Sequence, residues 1–207
     1  MKCTTKNYDL LYKRYLKDPG YLLTLGNYNP QEDRLLDLAG GTGAVSNNAL
    51  LRGGREIDLV DIAPRIKNSL LTVHRQSSEE FLLGSNRGYS LIACRQAINY
   101  MDVKKVFIGA WKSLFVNGRL VFNTFLKPKR MKFMSYDIAN NKYHELSVFV
   151  FGKIFHWQVL RKPKFLIDFT IFNYYSIDYL EKELSRAKFS KIEKIKKNKS
   201  MYVIATK

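Results

Sequence analysis

The sequence of 207 residues predicts an α/β fold, a mostly parallel sheet flanked by helices with antiparallel strands inserted before the last helix. Short apolar runs alternate with helix-length segments over the first 125 residues, as in parallel strands joined by helical crossovers. After residue 125 the runs are strand-like, and no amphipathic helix separates them. Hydrophobic residues make up 46% of the chain, which is enough for one domain with a buried core over residues 1–207.

The first helix is predicted over residues 7–18, before Pro19 and Gly20. Its stripe consists of Tyr8, Leu11, Tyr12 and Tyr15. With the less regular stretch that follows it, this helix makes residues 1–30 a cap on the domain. The first buried strand is predicted over Arg34–Leu38, and a helix over Ala44–Leu51 that glycines end.

The middle of the chain continues the alternation. A strand is predicted over Glu56–Val60, a helix over Pro64–Val73 and a strand over Ser90–Cys94. We expect Asp102 to cap the next helix and Gly118 to end it. Arg119–Phe125 is the next buried strand.

The insertion covers residues 127–175 and is rich in aromatic and β-branched residues. Its predicted strands are Tyr143–Phe151, Ile154–Leu160 and Phe165–Tyr174, with separators short enough for hairpins. Ser176 is expected to cap the last helix. Two strands, Phe189–Lys196 and Met201–Thr206, then form a terminal hairpin.

The strongest local signal is the turn Asp37-Leu-Ala-Gly-Gly-Thr-Gly43, which joins a strand to a helix. Its glycines permit positive φ angles and a close approach of the backbone to a ligand, and the helix that follows has unpaired N–H groups. A pyrophosphate-binding fingerprint would need a third glycine, but Ala44-Val-Ser46 follows Gly43. Asp37 would also repel a pyrophosphate, whereas it attracts an ammonium group.

A second acidic residue, Asp61, follows the next strand about twenty residues after the loop. At that position a carboxylate can accept hydrogen bonds from both hydroxyl groups of a ribose. It can also cap a following helix, for which Pro64 suits the first turn. The two roles are compatible.

With these features the chain resembles the class I S-adenosylmethionine-dependent methyltransferases, of the small-molecule type classed as methyltransferase domains 25 and 11. The family turn is often LDLACGTG, and this chain has LDLAGGTG, with Gly40 in place of the cysteine. We expect the turn to tolerate that change. The resemblance implies a Rossmann-like seven-stranded sheet, methyltransferase activity and S-adenosyl-L-methionine as cofactor.

Later segments resemble further motifs of the family in the same order. Ser78–Glu80 falls where members contact the adenine amino group, and Tyr89–Tyr100 resembles the fourth-strand motif. In Leu114–Phe122, which resembles the turn into the fifth strand, Asn117 replaces a proline. The resemblance predicts a cofactor site formed by Asp37, Leu38, Ala39, Gly40, Gly41, Gly43, Asp61, Ile62, Ser78, Glu79 and Arg95.

Catalytic residues are harder to assign, because transfer to a neutral amine needs little acid–base chemistry whereas an oxygen acceptor needs a general base. Candidates for the base are Tyr8, Tyr12, His74, His144 and His156. Candidates for contact with the acceptor are Gln96, Trp157 and Arg161. Cys94 lies in Ala-Cys-Arg, without the proline typical of pyrimidine methylation, and is expected to line the core or the pocket.

These observations favour transfer of a methyl group by in-line displacement to nitrogen or oxygen of a small molecule. The inserted strands would then roof the acceptor site or form a dimer contact. The formal charge of +17 leaves open a nucleic-acid methyltransferase that holds phosphates on a basic surface. A third hypothesis is a non-catalytic binding subunit, which the intact loop disfavours.

Two cysteines without metal or redox spacing, and a polar N-terminus, predict a cytoplasmic protein that holds no metal. No apolar run reaches the length of a membrane span.

Overall fold

The computed structural model describes residues 20–66, 68–125, 135–137, 142–144, 173–197 and 200–207. The helices are α1 (Gly20–Leu25), α2 (Ala44–Leu51), α3 (Ser78–Gly84), α4 (Val103–Ser113) and α5 (Ile177–Arg186), with a 3-10 helix at Ile98–Tyr100. The first five strands are β1 (Leu35–Leu38), β2 (Ile57–Val60), β3 (Thr72–His74), β4 (Tyr89–Cys94) and β5 (Leu114–Phe125). The other strands are β6 (Ser135–Asp137), β7 (Lys142–His144), β8 (Asn173–Tyr175), β9 (Lys191–Lys197) and β10 (Ser200–Thr206).

Seven strands form the main sheet in the order β3-β2-β1-β4-β5-β10-β9. The first five of these pair in parallel, and β10 runs antiparallel to both β5 and β9. The predicted α/β fold and its seven-stranded, mostly parallel sheet are therefore confirmed. The chain moves outward from β1 to β3 and then crosses to β4, so the strand order reverses between β1 and β4. Crevices at such a reversal are the usual ligand sites of open α/β sheets.

Both faces of the sheet are covered by apolar side chains. On one face α4 and α5 pack through Phe107, Leu180 and Leu184, which contact Phe122 and its neighbours in one buried cluster. On the other face Leu25 of α1 and Val45 and Ala49 of α2 pack on Leu35 and Leu91 in a second cluster. Burial on both faces explains why β1 and β4 are mostly apolar, with Asp37 and Ser90 as exceptions, instead of alternating between apolar and polar residues.

The predicted helix ends are partly confirmed. Helix α2 has the predicted bounds, and Gly53 after it takes φ +90° while its N–H donates to Leu50 O. Asp102 and Ser176 are the caps of α4 and α5, since their side chains accept from the N–H groups of Lys104 and Tyr179.

Three predicted elements differ from the structure. Gly20, expected to follow the end of a helix, begins α1. The helix predicted over Pro64–Val73 is wrong, because β-branched Thr72 and Val73 pair with β2 as strand β3 and Arg65 N–H donates to Gly41 O. Helix α4 ends at Ser113, before the expected Gly118, because β5 begins at Leu114 and bulges before it pairs regularly with β4.

The insertion contributes a second, three-stranded antiparallel sheet in the order β6-β7-β8. The predicted hairpins around residues 152–153 and 162–164, the strand Ile154–Leu160 and the helix over 7–18 lie outside the described residues. The predicted terminal hairpin is confirmed as β9 and β10. None of the helices that the structure describes has the length and apolar character to cross a bilayer.

Candidate functional site

The site lies at the carboxyl edge of the main sheet, where β1, β2, β3 and β4 all end. The loop 39–43 follows β1, Asp61 follows β2, and Arg95 follows β4. Because parallel strands bring these ends to one edge, residues far apart in sequence meet beside the reversal in strand order. The same edge carries most of the predicted cofactor residues.

The loop after β1 turns sharply through left-handed backbone conformations. Ala39 has φ +51°, Gly41 +52° and Gly43 +72°. The N–H of Gly43 donates to Gly40 O at 2.7 Å, which closes the turn and starts α2. A Cβ on Gly43 would meet the end of the Ile66 side chain, with Cδ1 at 2.1 Å, so Ile66 would have to move, and the φ of +72° independently favours glycine there.

Asp37 lies beneath this loop and is 1% exposed. Its Oδ2 accepts from the N–H of Ser46 at 3.1 Å and from the Ser46 hydroxyl at 2.6 Å. Burial raises the pKa of Asp37 to about 6, although both hydrogen bonds from Ser46 act to lower it. The Asp61 carboxylate raises that pKa further and the Arg95 guanidinium lowers it. The result is a buried carboxylate that a positively charged ligand group would stabilise.

The space beside Gly40 in the loop is filled by side chains of β1 and β2. A side chain on Gly40 would meet Leu59 Cγ at 2.7 Å and Asp37 Oδ2 at 2.9 Å. Leu59 on β2 therefore fills the volume in which the usual cysteine of this turn would lie. Leu59 thus packs directly against the loop at Gly40.

Asp61 connects the ends of β1 and β2. Its Oδ2 accepts from Gly41 N–H at 2.9 Å and its Oδ1 from Ala63 N–H at 2.7 Å. The N–H of Asp61 donates to His74 O on β3. Each carboxylate oxygen retains acceptor capacity for a ligand hydroxyl. In the described residues between Asp61 and α3 no helix begins, so the alternative role of Asp61 as a helix cap is wrong, and its side chain stabilises a turn instead.

Ile62, next to Asp61, is 78% exposed and forms an apolar surface beside the crevice. At the start of α3 the capping residue is Ser77, whose hydroxyl accepts from Glu80 N–H, while Ser78 is buried. Glu79 Oε1 accepts from Asp102 N–H at 3.0 Å, so this carboxylate joins α3 to α4.

Beyond β4 the chain turns through Gln96, which has φ +58°. The Gln96 N–H donates to Asn123 Oδ1 at 2.8 Å, and Asn123 is 1% exposed. Asn99 and Thr124, both fully buried, are joined by hydrogen bonds just behind this turn. Polar side chains at the ends of β4 and β5 thus hold Gln96 at the crevice.

Two predicted roles are decided by burial and contacts. Cys94 is fully buried, and burial raises the pKa of its thiol well above the ordinary value, so it lines the core as predicted. His74 Nε2 lies 2.9 Å from Asp58 Oδ1 and its ring packs on Phe81. This histidine is part of the sheet structure, which argues against its role as a base.

The remaining candidates for the base and for contact with the acceptor include one described residue, His144. Tyr8, Tyr12, His156, Trp157 and Arg161 lie outside the described residues. His144 is the last residue of β7, where its backbone pairs with Ser135 and Asn173.

Sequence reasoning missed three residues that shape the site. Ser46 holds Asp37, Leu59 complements Gly40, and Asn123 fixes the Gln96 turn. Two of these residues stand out in the sequence, since Ser46 is a serine in the first turn of an otherwise apolar helix start and Asn123 is an amide within an apolar strand. No sequence pattern marks Leu59, because its role depends on a contact between strands.

The arrangement suits a ligand that carries both an ammonium group and a ribose. Two carboxylates, Asp37 and Asp61, have the chemistry to bind these groups. A side chain on Gly41 would have only Asp61 Oδ2 near it, at 3.9 Å, so the crevice side of the loop has space. The Thr42 hydroxyl is buried and has no hydrogen-bond partner among the described residues. The loop therefore fits a nucleoside bearing an amino group.

Comparison with known proteins agrees with this geometry. Residues 11–194 match the family model described as Methyltransferase domain. No curated protein sequence matches the chain.

The fold is similar to that of an S-adenosylmethionine dependent methyltransferase from Mesorhizobium loti, with a TM-score of 0.64, 14% identity, and 93% of this chain and 98% of that chain covered. It is also similar to 1,6-didemethyltoxoflavin-N1-methyltransferase of Burkholderia thailandensis, solved with 1,6-didemethyltoxoflavin and S-adenosylhomocysteine. There the TM-score is 0.64, the identity 13%, and the coverage 98% of this chain and 82% of that chain.

A third similar structure is human N-acetylserotonin methyltransferase in complex with SAM. Its TM-score is 0.61 at 13% identity, over 96% of this chain and 54% of that chain.

Proposed function

Because this chain belongs to the methyltransferase domain family, we propose that it transfers a methyl group from S-adenosylmethionine to nitrogen or oxygen of a small molecule. The observation that carries this proposal is the pair of carboxylates at adjoining strand ends, Asp37 under a left-handed glycine loop and Asp61 bonded to that loop. A dinucleotide would bring a pyrophosphate toward the negative charge of Asp37, whereas Asp61 suits the ribose of either kind of ligand. A methionine-derived nucleoside brings an ammonium group and a ribose.

In this proposal Asp37 accepts hydrogen bonds from the ammonium group of the methyl donor, and Asp61 accepts hydrogen bonds from its ribose hydroxyls. The loop 39–43 follows the backbone of the ligand, and Ile62 offers an apolar face to the adenine. Ser78 and Glu79 stay candidates for the far side of the adenine, although Glu79 already accepts from Asp102 N–H. When bound, S-adenosylmethionine supplies an electrophilic methyl carbon on a positively charged sulfur.

The chain's own contribution is to orient the reactants and keep water out, since in-line displacement depends on alignment. The residues that would bind the methyl donor lie at strand ends and on the loop 39–43. The conformation of this loop is stabilised by contacts with Leu59, Ser46 and Asp61. An amine acceptor that is already neutral needs no base. An oxygen acceptor needs one, for which Tyr8, Tyr12, His144 and His156 stay candidates.

A small acceptor is favoured by two of the similar structures, whose names specify N-acetylserotonin and 1,6-didemethyltoxoflavin. It is favoured too by the second sheet, β6-β7-β8, which the chain inserts after β5. In the proposal this insertion roofs the acceptor, with Gln96 below it and Trp157 and Arg161 on its walls. The same strands can instead form a contact between two copies of the chain.

The test is transfer of a labelled methyl group from S-adenosylmethionine into a metabolite extract, run beside total RNA and DNA. We expect label in small molecules and none in nucleic acid, and Asp61→Ala should lower that label by about tenfold or more when the donor is below its dissociation constant. Label in RNA that disappears steeply with added salt would show instead that the charge of +17 serves a nucleic-acid substrate. Binding of the donor without transfer to any fraction would favour a non-catalytic subunit.

A further inference from the structure

Helix α4 and the turn after it form a surface that is both basic and apolar, and the proposed function makes no use of it. The helix carries three lysines and no acidic residue. Ile108 lies between these lysines and is 47% exposed, and Val116 shortly after the helix is 80% exposed. We propose that this surface attaches the protein to a membrane containing anionic lipids. We call it the α4 surface, and it consists of Leu83, Lys105, Ile108, Lys112, Phe115 and Val116.

The middle of the α4 surface is one side of the helix. Lys105, Ile108 and Lys112 are spaced by three and four residues, which places them on the same side, and all three are exposed. The neighbouring side of α4 packs on α3, where a Cβ on Gly109 would lie 2.7 Å from Leu82 Cβ. The two helices are therefore in close contact, and the exposed residues of both can form one continuous surface.

Leu83 of α3 and Phe115 extend this surface at its two ends. Glu79 accepts from the N–H of Asp102 at the start of α4, so this side of α3 faces α4. Leu83 lies one turn after Glu79 on that side and is 54% exposed. Phe115 is 50% exposed, and its ring lies over Gly88, where an added Cβ would be 2.0 Å from Cε1.

The end of the α4 surface is a tight turn with apolar side chains at its tip. Asn117 has φ +64°, a left-handed conformation that asparagine tolerates better than most residues. Leu114 and Gly118 on either side of the turn are buried, whereas Phe115 and Val116 between them are exposed. Neighbouring apolar side chains that face water mark a surface for interaction.

The chemistry of the α4 surface favours lipid over protein or nucleic acid. Lys105 and Lys112 take part in none of the ion pairs between described residues, so their charges are available to an anionic partner. Protein interfaces are poor in lysine, and aliphatic side chains such as Ile108 and Val116 do not stack on bases. Lysine can reach lipid headgroups on its long stem while apolar neighbours enter the interface. Attachment of this kind needs no membrane-spanning helix.

The test is sedimentation of the full chain with vesicles of equal parts phosphatidylcholine and phosphatidylserine, beside vesicles of phosphatidylcholine alone. Wild type should bind the anionic vesicles, and added salt should release it. Each lysine near such a surface contributes roughly fivefold to the partition constant, so Lys105→Gln combined with Lys112→Gln should lower it by about 25-fold. Val116→Ser, which leaves the charge unchanged, should lower it by about three- to tenfold.

Arg52→Gln combined with Arg55→Gln is the matched control, since it removes the same charge beside α2, on the other face of the sheet. Its partition constant should stay within about twofold of wild type, because these two residues are remote from the α4 surface. An equal loss in this control would show that overall charge, not the α4 surface, binds the vesicles. Absence of wild type from the anionic vesicles, or binding to an RNA oligonucleotide in their place, would overturn the proposal. None of the residues proposed to bind the methyl donor belongs to the α4 surface, so the two proposals are tested separately.

Discussion

At the scale of single residues, burial of the Asp37 carboxylate lowers the free energy of unfolding at neutral pH. The carboxyl is 1% exposed, and burial raises its pKa from 3.8 to about 6. Below about pH 4 it is protonated in both the folded and the unfolded chain. Between about 4 and 6 the folded state holds the proton more tightly, so stability falls as the pH rises. Above about 6 the cost is constant and on the order of 3 kcal/mol.

We therefore expect Asp37→Asn to raise the free energy of unfolding at about pH 7.5 by roughly 2 kcal/mol, and to have little effect at about pH 4. The amide keeps an acceptor for Ser46 but carries no charge to desolvate. Urea denaturation at the two pH values measures this difference, and Glu32→Gln, at an exposed carboxylate, is the control. Loss of stability at the higher pH would show that the charge supports the fold.

A second prediction concerns Gly40 and Leu59. Gly40→Cys places a side chain 2.7 Å from Leu59 Cγ, so it should destabilise the fold by about 1–3 kcal/mol through overpacking. Leu59→Ala should cost roughly 2–5 kcal/mol through the cavity that it leaves. The double variant should lose less than the sum of the two, which thermal or urea unfolding of all four proteins measures. Strict additivity would mean that the two positions do not share this volume.

At the scale of elements, strands β2, β3 and β4 are joined through the buried carboxylate of Asp58. Its oxygens accept from Tyr89 hydroxyl at 2.9 Å and from Arg87 Nη1 at 2.9 and 3.2 Å, and His74 Nε2 lies 2.9 Å away. His74 also accepts the N–H of Asp61 through its backbone oxygen. The cluster thus helps to hold the end of β2, directly before Asp61, the residue proposed to bind the ribose.

Tyr89→Phe should consequently destabilise the chain by about 1.5–3 kcal/mol, because it removes a buried donor to a charged acceptor. Arg87 is 53% exposed, and water screens its charge, so Arg87→Gln should cost about 1 kcal/mol or less. Urea denaturation of both variants tests this order. The reverse order would mean that the exposed guanidinium, not the buried hydroxyl, satisfies Asp58.

Elements with a strong local signal were predictable, and those fixed by long-range contacts were not. Helix α2 and the caps Asp102 and Ser176 follow from residues adjacent in sequence. The helix predicted over Pro64–Val73 is wrong because pairing with β2 outweighs local propensity at Thr72 and Val73.

The same distinction holds in the site. Asp37, Gly41 and Asp61 follow from the pattern of the motifs, and the structure brings them together at one edge. The fit of Gly40 against Leu59 and the bond from Gln96 to Asn123 depend on neighbouring strands that the sequence does not bring together locally.

At the scale of the whole molecule, the topology explains why the donor site is where it is. The order β3-β2-β1-β4-β5-β10-β9 reverses between β1 and β4, and the residues of the proposed site follow the strands around that reversal. The net charge of +17 is the excess of 35 basic over 18 acidic residues, and some of the basic residues lie in local ion pairs. Examples are Lys194 with Glu181 and Lys191 with Glu193, the two lysines lying on the edge strand β9. Lysine on an edge strand discourages pairing with another sheet, which accounts for some of this charge without a nucleic acid.

The central claim is that this edge of the sheet binds S-adenosylmethionine through Asp37 and Asp61. Calorimetric titration of S-adenosylmethionine into wild type and Asp61→Ala tests it most directly, with Glu32→Gln as control and thermal unfolding to verify that each variant folds. We predict a micromolar dissociation constant for wild type and the control, weakened by about tenfold or more in folded Asp61→Ala. No heat of binding with wild type, or equal affinity in Asp61→Ala, would contradict the claim.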